Sequence, residues 1–160
     1  MQKPRIRAVC LAAIAAALVT AGVWPAGAGT KDNGGKNAGK VIVWQPSLAA
    51  AEKEAKRTGK PVLIVFQATW CGACRMLERE VLPRREVTEE AQKWVTVKVD
   101  VDKEQEIAGQ YGIRNLPTTV FYRADGGRKF GFTGAPQAGE MVKIMKVAYT
   151  KVEQDKAKKK

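Results

Sequence analysis

Val62-Leu63-Ile64-Val65-Phe66 is apolar at every position, between Pro61 and the polar Gln67. A strand with one wet face alternates apolar and polar residues, whereas a continuous, mostly β-branched run suits a strand covered on both faces. Such a strand needs a layer of structure on each side, which points to a central sheet between helices. The residues after Gln67 narrow the chemistry. Ala68-Thr69-Trp70-Cys71-Gly72-Ala73-Cys74-Arg75 places two thiols three positions apart, and Met76, Leu77, Val81 and Leu82 continue as a helical pattern from Cys74 until Pro83. Two thiols at the start of a helix can close and open a disulfide within one turn.

The remaining elements fit around that strand. Val41 to Trp44 reads as a short first strand, and Pro46-Ser47 opens a helix that Thr58-Gly59-Lys60-Pro61 stops. Thr88-Glu89-Glu90 looks like the capped start of a short helix ending near Lys93. Trp94 to Asp102 alternates, with Val95, Val97, Val99 and Val101 on one face, and predicts a strand. A helix over 103–110, a strand over 118–123, a turn at Asp125-Gly126 and an antiparallel return over 128–133 follow. Pro136 starts a last helix, with Met141, Ile144, Met145 and Ala148 spaced for its core face. The predicted order is β-α-β-α-β-α-β-β-α, an α/β fold with a mixed central sheet flanked by helices on both faces.

Composition excludes several chemistries. The 160 residues hold three cysteines and no histidine, which removes the commonest general base and the commonest zinc ligand. One Cys-x-x-Cys pair supplies two of the four ligands of a structural zinc, so neither a metal nor any other cofactor is expected. The net charge of +12 is concentrated at the ends, with Lys3, Arg5 and Arg7 at one and Lys156, Lys158, Lys159 and Lys160 at the other. No aromatic residue is interleaved with the terminal lysines, so no nucleic-acid partner is expected. The bland reading is a targeting segment and a solvated tail.

The N-terminus has the three parts of a secretory signal. A basic start is followed by an apolar run over 8–23, and Ala26-Gly27-Ala28 offers the Ala-x-Ala spacing of a cleavage site. Residues 1–28 are therefore expected to be a signal peptide cut at about Ala28/Gly29, and 29–40, rich in Gly, Asn and Lys, a flexible linker. One folded domain over 41–150 and a basic tail over 151–160 complete the division. The expected location is the periplasm or another extracytoplasmic space, with no stable membrane insertion once the signal is removed. An uncleaved N-terminal anchor is the alternative. Cys10 lies inside the apolar run, so after cleavage Cys71 and Cys74 are the sole thiols, in a compartment where disulfides persist.

Thiolate, not thiol, is the attacking species, and a free cysteine ionises at about 8.5. At a helix N-terminus Cys71 meets unpaired backbone N–H groups and the positive end of the dipole, so it is expected to be the exposed nucleophile. Cys74, one turn on and more buried, would resolve the mixed disulfide. Gly72 and Ala73 add no charge or imidazole, which favours a reducing couple over a strong oxidant. An inert structural disulfide is the competing reading, but so tight a loop constrains an unfolded chain little.

Trp70-Cys71-Gly72-Ala73-Cys74 resembles the active site of the thioredoxin family, and Tyr111-Gly112-Ile113-Arg114-Asn115-Leu116-Pro117-Thr118 resembles its second signature. The likeness covers about Val41 to Tyr149. Leu77 to Leu82 and Val97 to Asp102 are most similar to the secreted thioredoxin-like group, which includes the C-terminal domain of the periplasmic disulfide-interchange reductase.

By that resemblance Pro117 is a cis proline facing the dithiol, and Trp70, Asn115, Leu116 and Gly134 line the same substrate groove. The implied partners are protein dithiols and disulfides and an electron-donor protein, and the protein is expected to be a monomer. There are departures. Val65 occupies the position of the family's buried acid beneath the resolving cysteine, while its lysine neighbour is kept as Lys98. Proton transfer from Cys74 must then use water, Lys98 or the partner. Gln67 stands where many relatives have an aromatic residue, and Ala73 replaces a proline. The reading is an extracytoplasmic thiol–disulfide oxidoreductase working in the reducing direction. A thiol oxidase, and a client-binding module with a redox latch, are the alternatives.

Overall fold

The apolar run becomes the middle strand of a five-stranded sheet, in a computed structural model that describes residues 40–158 apart from Gly126 and Arg128. The elements are β1 (Trp44–Gln45), α1 (Leu48–Thr58), β2 (Val62–Gln67), α2 (Gly72–Met76), a π-helical segment (Leu77–Val81), α3 (Arg85–Ala91), β3 (Val95–Asp100), α4 (Gln105–Gln110), β4 (Thr118–Tyr122), β5 (Phe130–Thr133) and α5 (Ala138–Lys158). Across the sheet the strands run β1-β3-β2-β4-β5; β1, β3 and β2 are parallel, and β4 pairs antiparallel with both β2 and β5.

Alternate residues of β2 point to opposite faces, and each face has its own core. Leu63 and Val65 pack with Leu77 and Val81 of the π segment, Val87 of α3, and Met141 and Met145 of α5. Val62, Ile64 and Phe66 pack with Ala51 and Ala55 of α1 and with Val95, Val97 and Val99 of β3. Helices cover both faces, as the unbroken apolar pattern requires.

Local signals set where the elements begin and stop. Ser47 caps α1 by accepting a hydrogen bond from the Ala50 N–H at 3.2 Å, and Gly59 ends it at φ 71°, where a side chain is disfavoured. Arg123, just beyond β4, is buried and fully engaged. Its guanidinium donates to Asp125 at 3.1 Å, to Glu153 of α5 at 2.6 Å and to the Gly59 carbonyl at 3.2 Å. It thereby ties the end of β4 to α1 and α5 with its charge balanced.

Several boundaries differ from the sequence reading. The first strand is Trp44–Gln45, not Val41–Trp44, because Val41 and Val43 are 70% and 66% exposed and only the end of that stretch pairs with β3. The helix expected from Cys74 starts at Gly72 and turns π-helical, with the Leu82 N–H reaching the Leu77 carbonyl at 2.9 Å. Thr88 does not cap α3, which begins at Arg85; its hydroxyl donates back to the Arg85 carbonyl at 2.9 Å from inside the helix. The fourth helix begins at Gln105 and the last strand at Phe130. The last helix begins at Ala138 and continues to Lys158, through residues expected to be a basic tail. Residues 1–28, expected to be a signal peptide, nearly all of the expected linker, Gly126 of the hairpin turn and the final two lysines lie outside the described residues.

Val152 is 1% exposed and belongs to the α5-side core, so the end of α5 carries stability. Val152→Ala is expected to lower unfolding free energy by about 1.5 kcal/mol in urea melts, the worth of about two buried methyl groups. Lys156→Ala, on the exposed side, is expected to stay within about 0.5 kcal/mol. Indistinguishable melts would mean that this stretch is dispensable.

Candidate active site

β2 ends at Gln67, and the chain turns through Ala68-Thr69-Trp70 into α2. Two hydrogen bonds hold the turn: the Cys71 N–H donates to the Ala68 carbonyl at 3.2 Å, and Arg75 Nη1 donates to the Thr69 carbonyl at 2.8 Å. Cys71 is the N-cap of α2. Its backbone is extended (φ −78°, ψ 107°), and its Sγ accepts from the Cys74 N–H at 3.1 Å. A cap needs a side chain that can accept from the first turn. Here sulfur takes that place, so the dithiol loop and the helix start are one structure.

Cys71 and Cys74 are joined as a disulfide, with Cα atoms 5.3 Å apart. Both are buried, at 6% and 3% exposure, against Ala68, Ala73, Val101 and Leu116. The expectation of an exposed Cys71 beside a buried Cys74 therefore does not describe this disulfide form. The exposed group is Trp70, at 67%.

Trp70 is held despite its exposure, because its Nε1–H donates to Asp102 Oδ2 at 2.9 Å. Asp102 is not among the residues that the sequence assigns to the site. The signal was available, since Asp102 follows a strand parallel to β2 and so emerges at the same edge as the dithiol loop. The register pairs Gln67 with Asp100, and the Val101 N–H donates to the Gln67 carbonyl at 2.9 Å.

Beside the disulfide lies a groove of about 360 Å³ that brings together Trp70, Cys71, Asn115 and Leu116, with Arg114 at its wall. The Leu116–Pro117 peptide is cis. Pro117 is buried, and its carbonyl accepts from the Gly134 N–H at 2.8 Å. Gly134 has φ 111°, a conformation that other residues rarely adopt, and its N–H is already committed to Pro117. The Thr118 hydroxyl donates to the Asn115 carbonyl at 2.7 Å and fixes the turn before β4. Four of the residues assigned to the site thus line the groove, while Pro117 and Gly134, expected there too, are not among its lining and are bonded to each other.

Val65 is fully buried, with Lys98 as its register partner on β3 and Thr119 on β4. The Lys98 ammonium is bound by the Glu78 carboxylate from the π segment and lies 4.7 Å from the centre of the Trp44 ring. Glu78 is a second residue to which the sequence reading gave no role. Among the described residues no group of three or more His, Cys, Asp or Glu side chains could hold a metal ion.

The family described as "Thioredoxin-like domain" matches residues 48–148. A thioredoxin from Mycoplasmoides gallisepticum is 37% identical over 89 residues, covering 54% of this chain and 85% of that protein. Among solved structures, DsbH oxidoreductase superposes with a TM-score of 0.57 at 27% identity, over 69% of this chain and 85% of its own. The C-terminal domain of Neisseria meningitidis DsbD in its oxidised form gives a TM-score of 0.57 at 25% identity, over 62% and 90%. With its Cys-x-x-Cys pair at the end of the central strand and closed as a disulfide, the chain belongs to the thioredoxin-like family and is a thiol–disulfide oxidoreductase.

Proposed function

We propose that this oxidoreductase reduces protein disulfides outside the cytoplasm, with Cys71 as the attacking thiol and Cys74 as the resolving one. The observation that carries the assignment of roles is the cap. A hydrogen bond from the Cys74 N–H to Cys71 Sγ stabilises negative charge on Cys71, and Cys71 is the member of the pair that lines the groove. Burial of both sulfurs does not separate them; the direction of that bond does.

An extended substrate segment lies in the groove against Trp70, Asn115 and Leu116. The Cys71 thiolate attacks one sulfur of the substrate disulfide, forming a mixed disulfide and expelling the other sulfur as a thiolate. Cys74 gives up its proton and attacks Cys71 Sγ. The Cys71–substrate bond breaks, the second substrate thiolate leaves, and the Cys71–Cys74 disulfide forms. Two electrons pass to the substrate, whose thiolates take up protons. A donor protein's dithiol restores the pair by the same exchange in reverse. Lys98 is already paired with Glu78, so the proton from Cys74 passes to water or to the departing substrate thiolate.

The reducing direction is supported by the neutral loop, in which Gly72 and Ala73 place no charge beside the sulfurs. The location is supported by the signal-like pattern of residues 1–28. Cell fractionation with N-terminal sequencing tests the location: a soluble extracytoplasmic protein starting at Gly29 is expected, and an intact membrane-bound chain would replace it with the anchored form.

Insulin reduction with dithiothreitol is expected to be catalysed by the intact chain and to be lost in Cys71→Ser; unchanged activity in that variant would overturn the assignment. After reduction, brief alkylation at neutral pH is expected to label Cys71 before Cys74 by mass spectrometry, and equal labelling would remove the asymmetry. A reduction potential near that of strong oxidants, about −120 mV, would reverse the proposed direction.

A further inference from the structure

Among the described residues, three buried side-chain polar atoms have no hydrogen-bond partner: Gln67 Oε1, Trp94 Nε1 and Thr119 Oγ1. Two of these flank Val65 on one face of the sheet. Gln67 follows Val65 by two positions on β2 and so points to the same side, and Thr119 is Val65's register partner on β4. On that face Leu77 and Val81 pack against Leu63 and Val65. Leu77, one turn after Cys74, belongs to that core, and Cys74 itself is buried in a cluster with Ala68, the residue that follows Gln67. The Gln67 main-chain carbonyl is already used by Val101, which leaves the side-chain oxygen as the uncommitted acceptor there.

A buried amide oxygen without a donor is costly, and native structures rarely leave one so. In the disulfide both sulfurs have lost their protons and neither can donate. In the dithiol Cys74 carries an S–H. We propose that Gln67 is a positioning residue for the resolving thiol: its Oε1 accepts the Cys74 S–H in the reduced protein and loses that donor when the disulfide forms. On oxidation the Cys74 proton leaves, the Cys71–Cys74 bond forms and two electrons pass to the substrate disulfide, which becomes two thiols. The S–H···O bond therefore belongs to one redox state alone. It favours the dithiol over the disulfide, and neutral Cys74 over its thiolate, which keeps the second thiol protonated while Cys71 attacks. This role rests on the proposed assignment of Cys74 as the resolving thiol and not on the proposed compartment.

The test is redox equilibrium of the full chain against glutathione, read by quenching and alkylation, in the parent, Gln67→Met and Thr119→Val. Methionine is similar in length and has no comparable acceptor. Gln67→Met is expected to move the equilibrium about tenfold toward the disulfide, about 30 mV lower in potential, while Thr119→Val stays within about twofold of the parent. A constant within about twofold in Gln67→Met overturns the proposal, and so does an equal shift in Thr119→Val, because packing alone would then account for it. If Gln67→Met does not fold, the S–H infrared stretch of the reduced parent decides. A band displaced toward the hydrogen-bonded position supports the bond, and a free-thiol band sinks it. Neither readout depends on insulin reduction, so failure here and failure of the proposed function are separable.

Discussion

Burial of β2 on both faces is the constraint on which the rest of the structure depends. Because Leu63 and Val65 fill one core and Val62, Ile64 and Phe66 the other, the strand cannot slide or turn over without exposing half of each set. Its C-terminal end is thereby fixed between β3 and β4, and the chain must leave the sheet at Gln67. The dithiol inherits that rigidity. Cys71 is close enough to a sheet anchor that its sulfur can serve as a helix cap, and the same edge supplies Asp102 to hold Trp70 and the turn at Asn115 to form the opposite wall. The reacting groups come from loops, but every loop starts from a strand that packing holds in place.

How much of this is legible in the sequence depends on how local each signal is. The central strand, the dithiol loop and the core face of α5 are written in short-range patterns, and they appear where the patterns place them. The edges are not. Val41 and Val43 look like strand residues, yet β1 lies at the sheet's edge with one neighbour, and apolar composition cannot reveal that they stay in water. Thr88 resembles a cap because the sequence does not show that Arg85 already begins the helix. The lysines at the end hide Val152, one buried residue on a face otherwise read as solvated.

Site residues divide in the same way. Cys71, Cys74 and Trp70 are close in sequence and are recognised by their spacing. Asp102 and Glu78 act across the sheet, on Trp70 and Lys98, and their pairing depends on strand register and on the π segment, which no local pattern encodes. Burial of Cys71 escapes a sequence reading for a related reason. The N-cap position suggests exposure, but the neighbouring Val101 and Leu116 come from two other parts of the chain and close over it.

Val65, at the position where the resemblance implies a buried acid, leaves that depth of the sheet without charge. A carboxylate at that depth would need a partner, and Lys98 is its register neighbour. With valine there, the lysine pairs instead with Glu78 from the π segment, and both groups are about one-third exposed. The charge on this side of the sheet therefore sits at its rim, where water screens it. The polar groups assigned to the sulfurs are neutral: the Cys74 N–H that caps Cys71, and, by the proposal above, the amide of Gln67. Such groups perturb a thiol through short, directional bonds and not through a field reaching across the site. The protonation of Cys74 then depends on the geometry of one side chain, where a buried acid would have made it depend on that acid's own titration. Gln67 Oε1 and Thr119 Oγ1 are left unpaired on either side of Val65, so the polar groups next to this apolar residue have no charge to answer to.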